Sequence, residues 1–211
     1  MMRKVLIVDD HDVVREGVKR LLEEQPDTIT CGEAGTPEEA IRSALASEWD
    51  VVVLDLSFAG KSGLEVLKEL KQIRPRLPVL VLTMHSEEQY ARRAFKAGAA
   101  GFITKDSPRA ELSKAIHKVM EGGKYLSPAL AENLIIDLER GADRPPDETL
   151  SDREFQVMRL IASGKTLSEI AALLSLSDKT ISTYRARLME KMRMRTNAEL
   201  TYYAIQNKLV D

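Results

Sequence analysis

Two hydrophobic rhythms alternate along the front of the chain. Short apolar runs recur at "VLIV" (5–8), "TITCGEA" (28–34), "VVVLDL" (51–56), "PVLVL" (78–82) and "GFIT" (101–104). Runs of this length, rich in Val and Ile, predict β-strands. The segments between them carry helical spacing. Val13, Val14, Val18, Leu21 and Leu22 predict an apolar stripe on a helix over 12–24, and Leu64, Leu67 and Leu70 another over 63–73. "TPEEA" (36–40) opens a helix, with Thr36 as cap, Pro37 at its first position and Glu39 three residues after the cap. Strands alternating with helices predict a doubly wound α/β fold, a parallel sheet covered on both faces. Five such units end near Gly122 and Gly123.

After that point the strand rhythm stops. "YLSPALAENLIIDLERG" (125–141) predicts a helix capped by Ser127, begun by Pro128 and ended by Gly141. "ADRPPDET" (142–149) reads as a flexible linker. Beyond Leu150 only helices fit, over 152–162, 167–174, 178–192 and 196–207. A short helix, a tight turn and a longer basic helix follow the order of a helix-turn-helix unit. The chain therefore divides into an α/β domain over 1–124, a linker helix and linker over 125–149, and a small all-α domain over 150–211.

Charge sharpens that division. The net charge of −2 hides an asymmetry: residues 148–211 hold ten Lys/Arg and eight Asp/Glu, and the remainder 21 and 25. An acidic front and a mildly basic back predict different partners for the two parts. Cys31 is the only cysteine, which excludes an intramolecular disulfide and fits a reducing compartment. Its own reading is a small apolar strand residue. The apolar run at the N-terminus is too short for a signal peptide, and none approaches a membrane span. The chain reads as soluble and cytoplasmic, with no membrane partner.

In an open parallel sheet, sites form beyond the carboxyl ends of the strands. The first strand delivers Asp9 and Asp10 there, the third Asp55, the fourth Thr83 and the fifth Lys105. Three nearby carboxylates repel one another unless a cation joins them. Hard oxygen ligands at this density suit Mg²⁺. Lys105 can hold an anion as a point charge and Thr83 can donate a hydrogen bond to it. Together they suit a phosphoryl-accepting site in which Asp55, alone at a central strand end, is the nucleophile and becomes an acyl phosphate.

The second candidate is "DKTISTYRARLMEKMRMR" (178–195), with six Lys/Arg against two acids. Ile181, Leu188 and Met192 share a narrow face that would bury against the domain. Ser182, Thr183 and Ala186 lie opposite, small enough to let the helix sink into a major groove. Lys179, Tyr184, Arg185, Arg187 and Lys191 flank them within reach of phosphates, and Thr180 stands beside them at the helix start.

These residues carry a resemblance. Residues 1–124, through "VLIVDDH", "VVVLDL", "VLVLTMH" and "GFITKD", resemble the receiver domain of two-component response regulators. Residues 150–209, through "REFQVMRLIASG", "SEIAALL", "SDKTIS", "LMEKM" and "NAEL", resemble the LuxR-type DNA-binding domain. The pair is similar to the NarL/FixJ family. The resemblance implies a flavodoxin-like receiver with five strands in the order 2-1-3-4-5. It implies that Asp55 is phosphorylated by a sensor histidine kinase and that Asp9 and Asp10 bind Mg²⁺, with the carbonyl of Ser57 as a further ligand. Asp10 is expected to touch the metal directly and Asp9 through water. Thr83 is the switch hydroxyl, Lys105 the phosphate-binding lysine and Phe102 the switch aromatic, with the loop 84–90 reordered on phosphorylation. It also implies a homodimer on double-stranded DNA when phosphorylated, transcriptional control, a possible contact with RNA polymerase, and no enzymatic activity beyond phosphoryl acceptance. The kinase-facing surface is expected on helix 12–24, with Arg15, Glu16 and Lys19 exposed. Glu154 is read as a packing acid.

Four positions, in three places, depart from the family pattern. Phe58-Ala59-Gly60 stands where the family usually reads Met-Pro-Gly, Asp106 where many receivers place Pro, and Tyr184 where many LuxR-type domains place His. Two other readings are weighed. A Mg²⁺ phosphatase with an aspartyl intermediate needs a second acid two residues from its nucleophile, and Asp55 has none. An orphan regulator that binds DNA unphosphorylated fits poorly with an intact acid set.

Overall fold

The computed structural model describes residues 3–24, 29–58, 61–84, 87–127, 130–132, 145–207 and 209–210. The chain splits into two compact units, Met1–Ile136 and Asp137–Asp211.

The first unit alternates β1 (Arg3–Val8), α1 (Asp12–Glu23), β2 (Ile29–Ala34), α2 (Pro37–Ala46), β3 (Val51–Leu54), α3 (Gly63–Ile73), β4 (Val79–Thr83), α4 (Glu87–Lys96), β5 (Gly101–Thr104) and α5 (Arg109–Met120). The strands form one parallel sheet in the order β2-β1-β3-β4-β5, as expected. β1, β3 and β4 are apolar on both faces because helices cover both, so they read as continuous runs. On one face Val5, Ile7, Val53, Leu80 and Ile103 pack with Val18 and Leu22 of α1 and Ala115, Ile116 and Val119 of α5. On α3, Leu64, Leu67 and Leu70 are buried, as their spacing predicts. Thr36 caps α2 by accepting the Glu39 N–H at 3.2 Å, while the Glu39 carboxylate accepts the Gly35 N–H at 2.8 Å.

One stripe residue breaks expectation. Val13 is 85% exposed, whereas Val18, Leu21 and Leu22 are buried. A 3.6-residue helix turns Val13 well away from Val18, and the buried stripe is narrower than the apolar letters suggest.

The receiver-like unit also runs past residue 124. Tyr125 forms a single parallel bridge with Gly101 on the open edge of β5. Its N–H donates to Ala100 O at 3.0 Å and its carbonyl accepts the Phe102 N–H at 3.2 Å. Beyond it, Ser127 caps as expected, accepting the Leu130 N–H at 3.3 Å. The rest of the expected linker helix, from Pro128 to Gly141, lies outside the described residues apart from 130–132.

The second unit is helical: α6 (Asp152–Ala162), α7 (Leu167–Leu174), α8 (Asp178–Met192) and α9 (Asn197–Gln206). Capping boxes start α6, α7 and α9. The turn between α7 and α8 passes through Ser175 in the left-handed region, at φ 53°. Pro146–Thr149, expected inside the linker, instead forms a 3₁₀ turn belonging to this unit. Asp147 is fully buried there and accepts the Tyr203 O–H at 2.6 Å. Among the described residues, no helix is long and apolar enough to cross a membrane.

Candidate functional site

The register of the central strands builds the acid edge. Val8 of β1 stands opposite Leu54 of β3, so the next residue of each, Asp9 and Asp55, leaves the sheet beside the other. The Asp55 N–H donates to Val8 O at 2.9 Å and the Asp9 N–H to Ala34 O at 3.1 Å, which fixes both main chains. β3 ends at Leu54, one residue before Asp55. On the other side Thr83 is the last residue of β4 and pairs with Thr104, while the Lys105 N–H donates to Thr83 O at 2.8 Å.

Asp9 and Asp55 are 2% and 1% exposed. Between them sits Lys105 Nζ, 2.7 Å from Asp9 Oδ2 and 2.9 Å from Asp55 Oδ2. One ammonium thus compensates two buried carboxylates. Burial lifts the Asp55 carboxyl above its usual range and Asp9 adds to the lift, although Lys105 and the Ser57 N–H pull the other way. For Lys105, burial works against the charged form, but its hydrogen bonds to the two acids outweigh that and hold its pKa above the ordinary lysine value. The second Asp55 oxygen accepts the Leu56 N–H at 2.7 Å.

Asp10 stands apart at the rim, its side chain one-third exposed. His11, which nothing in the chain's periodicity singles out, joins the acids here. Its Nδ1 lies 2.8 Å from Asp10 Oδ1 and 3.2 Å from Asp9 Oδ1, and its N–H donates to Asp9 Oδ1 at 2.9 Å. Ligand atoms of Asp9, Asp10, His11 and Asp55 lie within 4.8 Å of one another. This oxygen-rich set fits a divalent cation. Asp10 is the acid that Lys105 leaves open.

Thr83 is fully buried and Phe102 is 1% exposed. Residues 85 and 86 of the expected switch loop lie outside the described residues. Phe58, where the family usually has Met, is 4% exposed and packs inward; Ala59 and Gly60 lie outside the described residues. Gly63 opens α3 against this loop. A Cβ there would stand 2.3 Å from Leu56 Cα and 2.5 Å from Asp55 O. Among the described residues no peptide bond is cis, so Lys105–Asp106 is trans.

Helix α1 bears out Glu16 as an exposed residue but not Arg15. The Arg15 side chain is 15% exposed and folds back onto the loop carrying the acids. Lys19 is half-buried against Glu33. Cys31 is half-buried in β2, and burial pushes its thiol up to about 11, in keeping with an inert strand residue.

On α8, Ile181, Leu188, Met189 and Met192 are buried. Lys179, Ser182, Thr183, Ala186, Arg187 and Lys191 are exposed, and Thr180, Tyr184 and Arg185 half-buried. Several of the candidate contacts have partners inside the unit. Thr180 donates its N–H to the Ser177 cap, Arg185 Nε donates to Asn197 Oδ1 at 2.9 Å, and Lys191 Nζ lies 2.6 Å from Glu154 Oε2. Glu154 is 3% exposed and also closes the capping box of α6, accepting the Ser151 N–H at 2.7 Å. Lys191 therefore braces α8 against α6, and the strip Lys179, Ser182, Thr183, Ala186, Arg187 faces outward.

Burial raises the Glu154 carboxyl, but Lys191 and Ser151 outweigh it and the net shift is downward. A depressed carboxylate stabilises the fold above the unfolded glutamate pKa, and that contribution fades as pH falls through the folded value. Glu154→Gln is expected to lower the helical unit's stability above about pH 4.3 and to make progressively less difference below it. Urea unfolding of the two proteins at several pH values measures this.

Comparison with known proteins agrees with this geometry. Residues 5–117 match the response regulator receiver domain, and residues 148–204 match the bacterial regulatory proteins of the luxR family. The response regulator GacA of Pseudomonas aeruginosa is 36% identical over 211 residues, covering 100% of this chain and 99% of that protein. The response regulator UvrY of Escherichia coli K12 is 34% identical over 209 residues, covering 99% and 96%. Among solved structures, RcsB from Salmonella enterica serovar Typhimurium, bound to promoter rprA in the presence of phosphomimetic BeF3-, is 27% identical, with a TM-score of 0.65 over 96% of this chain and 98% of that one. The chain belongs to the NarL/FixJ family of two-component response regulators, in which a receiver domain is followed by a LuxR-type DNA-binding domain.

Proposed function

We propose that this protein is a cytoplasmic transcription factor switched by phosphorylation of Asp55. The observation that carries the reading is the bridging of Asp9 and Asp55 by Lys105 Nζ, at 2.7 and 2.9 Å, beside an accessible Asp10. Asp10, Asp55 and the Ser57 carbonyl would hold Mg²⁺, with Asp9 acting through water. Mg²⁺ held there would supply positive charge to offset the carboxylates that would otherwise repel an incoming phosphoryl group. An Asp55 oxygen attacks the phosphorus of a phosphohistidine on a sensor kinase. The phosphorus–nitrogen bond breaks, the histidine leaves and an acyl phosphate forms. Lys105 exchanges a carboxylate oxygen for a phosphoryl oxygen, and the Thr83 hydroxyl donates to another. The added charge of about −1.5 to −2 repositions the loop after Thr83 and Phe102.

In the second domain α8 enters a major groove. Ser182, Thr183 and Ala186 lie against the bases, with Lys179, Thr180, Tyr184, Arg185 and Arg187 on the flanks; Lys191 reaches phosphate from the rim while paired with Glu154. A phosphorylated homodimer occupies two half-sites about one helical turn apart, and RNA polymerase is a further partner. The DNA-bound RcsB relative supports this half of the reading.

The test is incubation with acetyl phosphate and Mg²⁺ followed by intact mass measurement. The wild type gains one phosphoryl group and Asp55→Asn gains none. An undiminished adduct in Asp55→Asn defeats the assignment. For DNA, Lys179→Ala with Arg187→Ala should reduce the slope of log affinity against log salt by about 1.8. An unchanged slope removes α8 from the interface.

A further inference from the structure

We infer that Arg15 is a positioning residue for the acid pair, holding the peptide between Asp9 and Asp10 in the orientation the metal site needs. The inference rests on the phosphoacceptor reading above. Arg15 starts on α1, one turn beyond the acids, and its guanidinium folds back. Nη1 donates to the Asp9 main-chain oxygen at 2.7 Å. Nη2 pairs with the Asp12 carboxylate, and Nε donates to Glu33 Oε2 at 3.3 Å. The guanidinium also passes Gly35, with Nη1 3.5 Å from where a Cβ would stand. Three elements, the β1–α1 loop, α1 and the end of β2, meet on one planar cation.

The Asp9 carbonyl is the useful contact. Asp9 itself is fixed by Lys105 and by the Ala34 carbonyl. Among the described residues Asp10 has no such hold, its side chain pairing with the exposed His11 ring. The carbonyl of Asp9 and the N–H of Asp10 belong to one rigid peptide. Pinning that oxygen sets the direction in which Asp10 leaves the chain. A ligand held from outside its coordination sphere is a recognised way to tune metal affinity. Only a forked donor reaches the carbonyl, Asp12 and Glu33 together; an ammonium cannot.

The experiment separates this role from kinase docking and from general support. Mg²⁺ binding is titrated by calorimetry with the full-length protein, and the Mg²⁺ dependence of phosphorylation by acetyl phosphate is followed in parallel. Neither needs a kinase. Arg15→Met is expected to raise the Mg²⁺ half-saturation about tenfold. The phosphorylation rate at saturating Mg²⁺ should return close to the wild-type value. A merely structural defect would lower the active fraction and leave half-saturation where it was. Glu33→Gln, which weakens the tie to β2 but spares the Asp9 carbonyl, should bind Mg²⁺ as the wild type does. Arg15→Lys serves if Arg15→Met does not fold, and should also show raised half-saturation. Unchanged half-saturation in the folded Arg15 variant, or an equal shift in Glu33→Gln, overturns the inference. A wild type that binds Mg²⁺ but takes no phosphate instead overturns the phosphoacceptor reading, while the calorimetric comparison still decides the role of Arg15.

Discussion

Replacing Lys105 with Met is expected to cost the receiver domain about 3–5 kcal/mol of stability, because it strands two buried carboxylates at once. Asp9 and Asp55 are 2% and 1% exposed, and the Lys105 side chain itself is 11% exposed. Neither acid has solvent to replace the ammonium. Their mutual repulsion, which Lys105 now offsets, adds to the loss. Urea unfolding followed by Trp49, the only tryptophan, reports on the receiver domain. The midpoint should fall with little change in slope. Mg²⁺ should then stabilise the variant more than the wild type, since it replaces a charge that the wild type already has. A variant as stable as the wild type in Mg²⁺-free buffer would mean that the acids are neutral in the folded state.

The second large effect is at Gly63. Gly63→Ala is expected to destabilise the receiver by about 3 kcal/mol, the upper end for overpacking, because the new methyl meets backbone. The atoms it would strike are Leu56 Cα at 2.3 Å and Asp55 O at 2.5 Å. A flexible side-chain end could move aside; these two are main-chain atoms of the segment that carries Asp55 and cannot move without it. Stability and phosphoryl acceptance should therefore fall together. Gly17, with nothing within 4 Å of the same point, carries no such constraint. The same unfolding and mass measurements check this, and a Gly63→Ala protein of wild-type stability would show that α3 can retreat freely from the loop.

Much of this site was legible in the chain because its polar residues end apolar runs. Strand identity alone sends Asp9, Asp55, Thr83 and Lys105 to one edge, and the observed register sets Asp9 beside Asp55. What the sequence hides depends on long side chains and on distant partners. Arg15 occupies an outward position on α1, yet its length lets it curl back to a carbonyl six residues earlier. Lys191 is one basic residue among several on α8, and the acid that engages it lies 37 residues away. Two prolines make 142–149 look like linker, whereas the Asp147 bond to Tyr203 spans 56 residues and draws its end into the helical unit. Val13 fails for the opposite reason, since an apolar letter near a stripe need not be on it. A single-residue bridge such as that of Tyr125 has no periodicity to detect.

That bridge bears on how response regulators exchange parts. β5 is an edge strand, and an uncovered edge offers a row of main-chain groups to any passing chain. Tyr125 occupies part of that row, its backbone paired on either side of Gly101 and the residue 5% exposed. A chimera joined at Gly123 would carry α5 intact and still leave the edge bare, a seam prone to sticking. One joined after Ser127 would keep the rung. The transferable cassette thus ends inside what looks like the connector, and the first residues of the connector are the receiver's own hem.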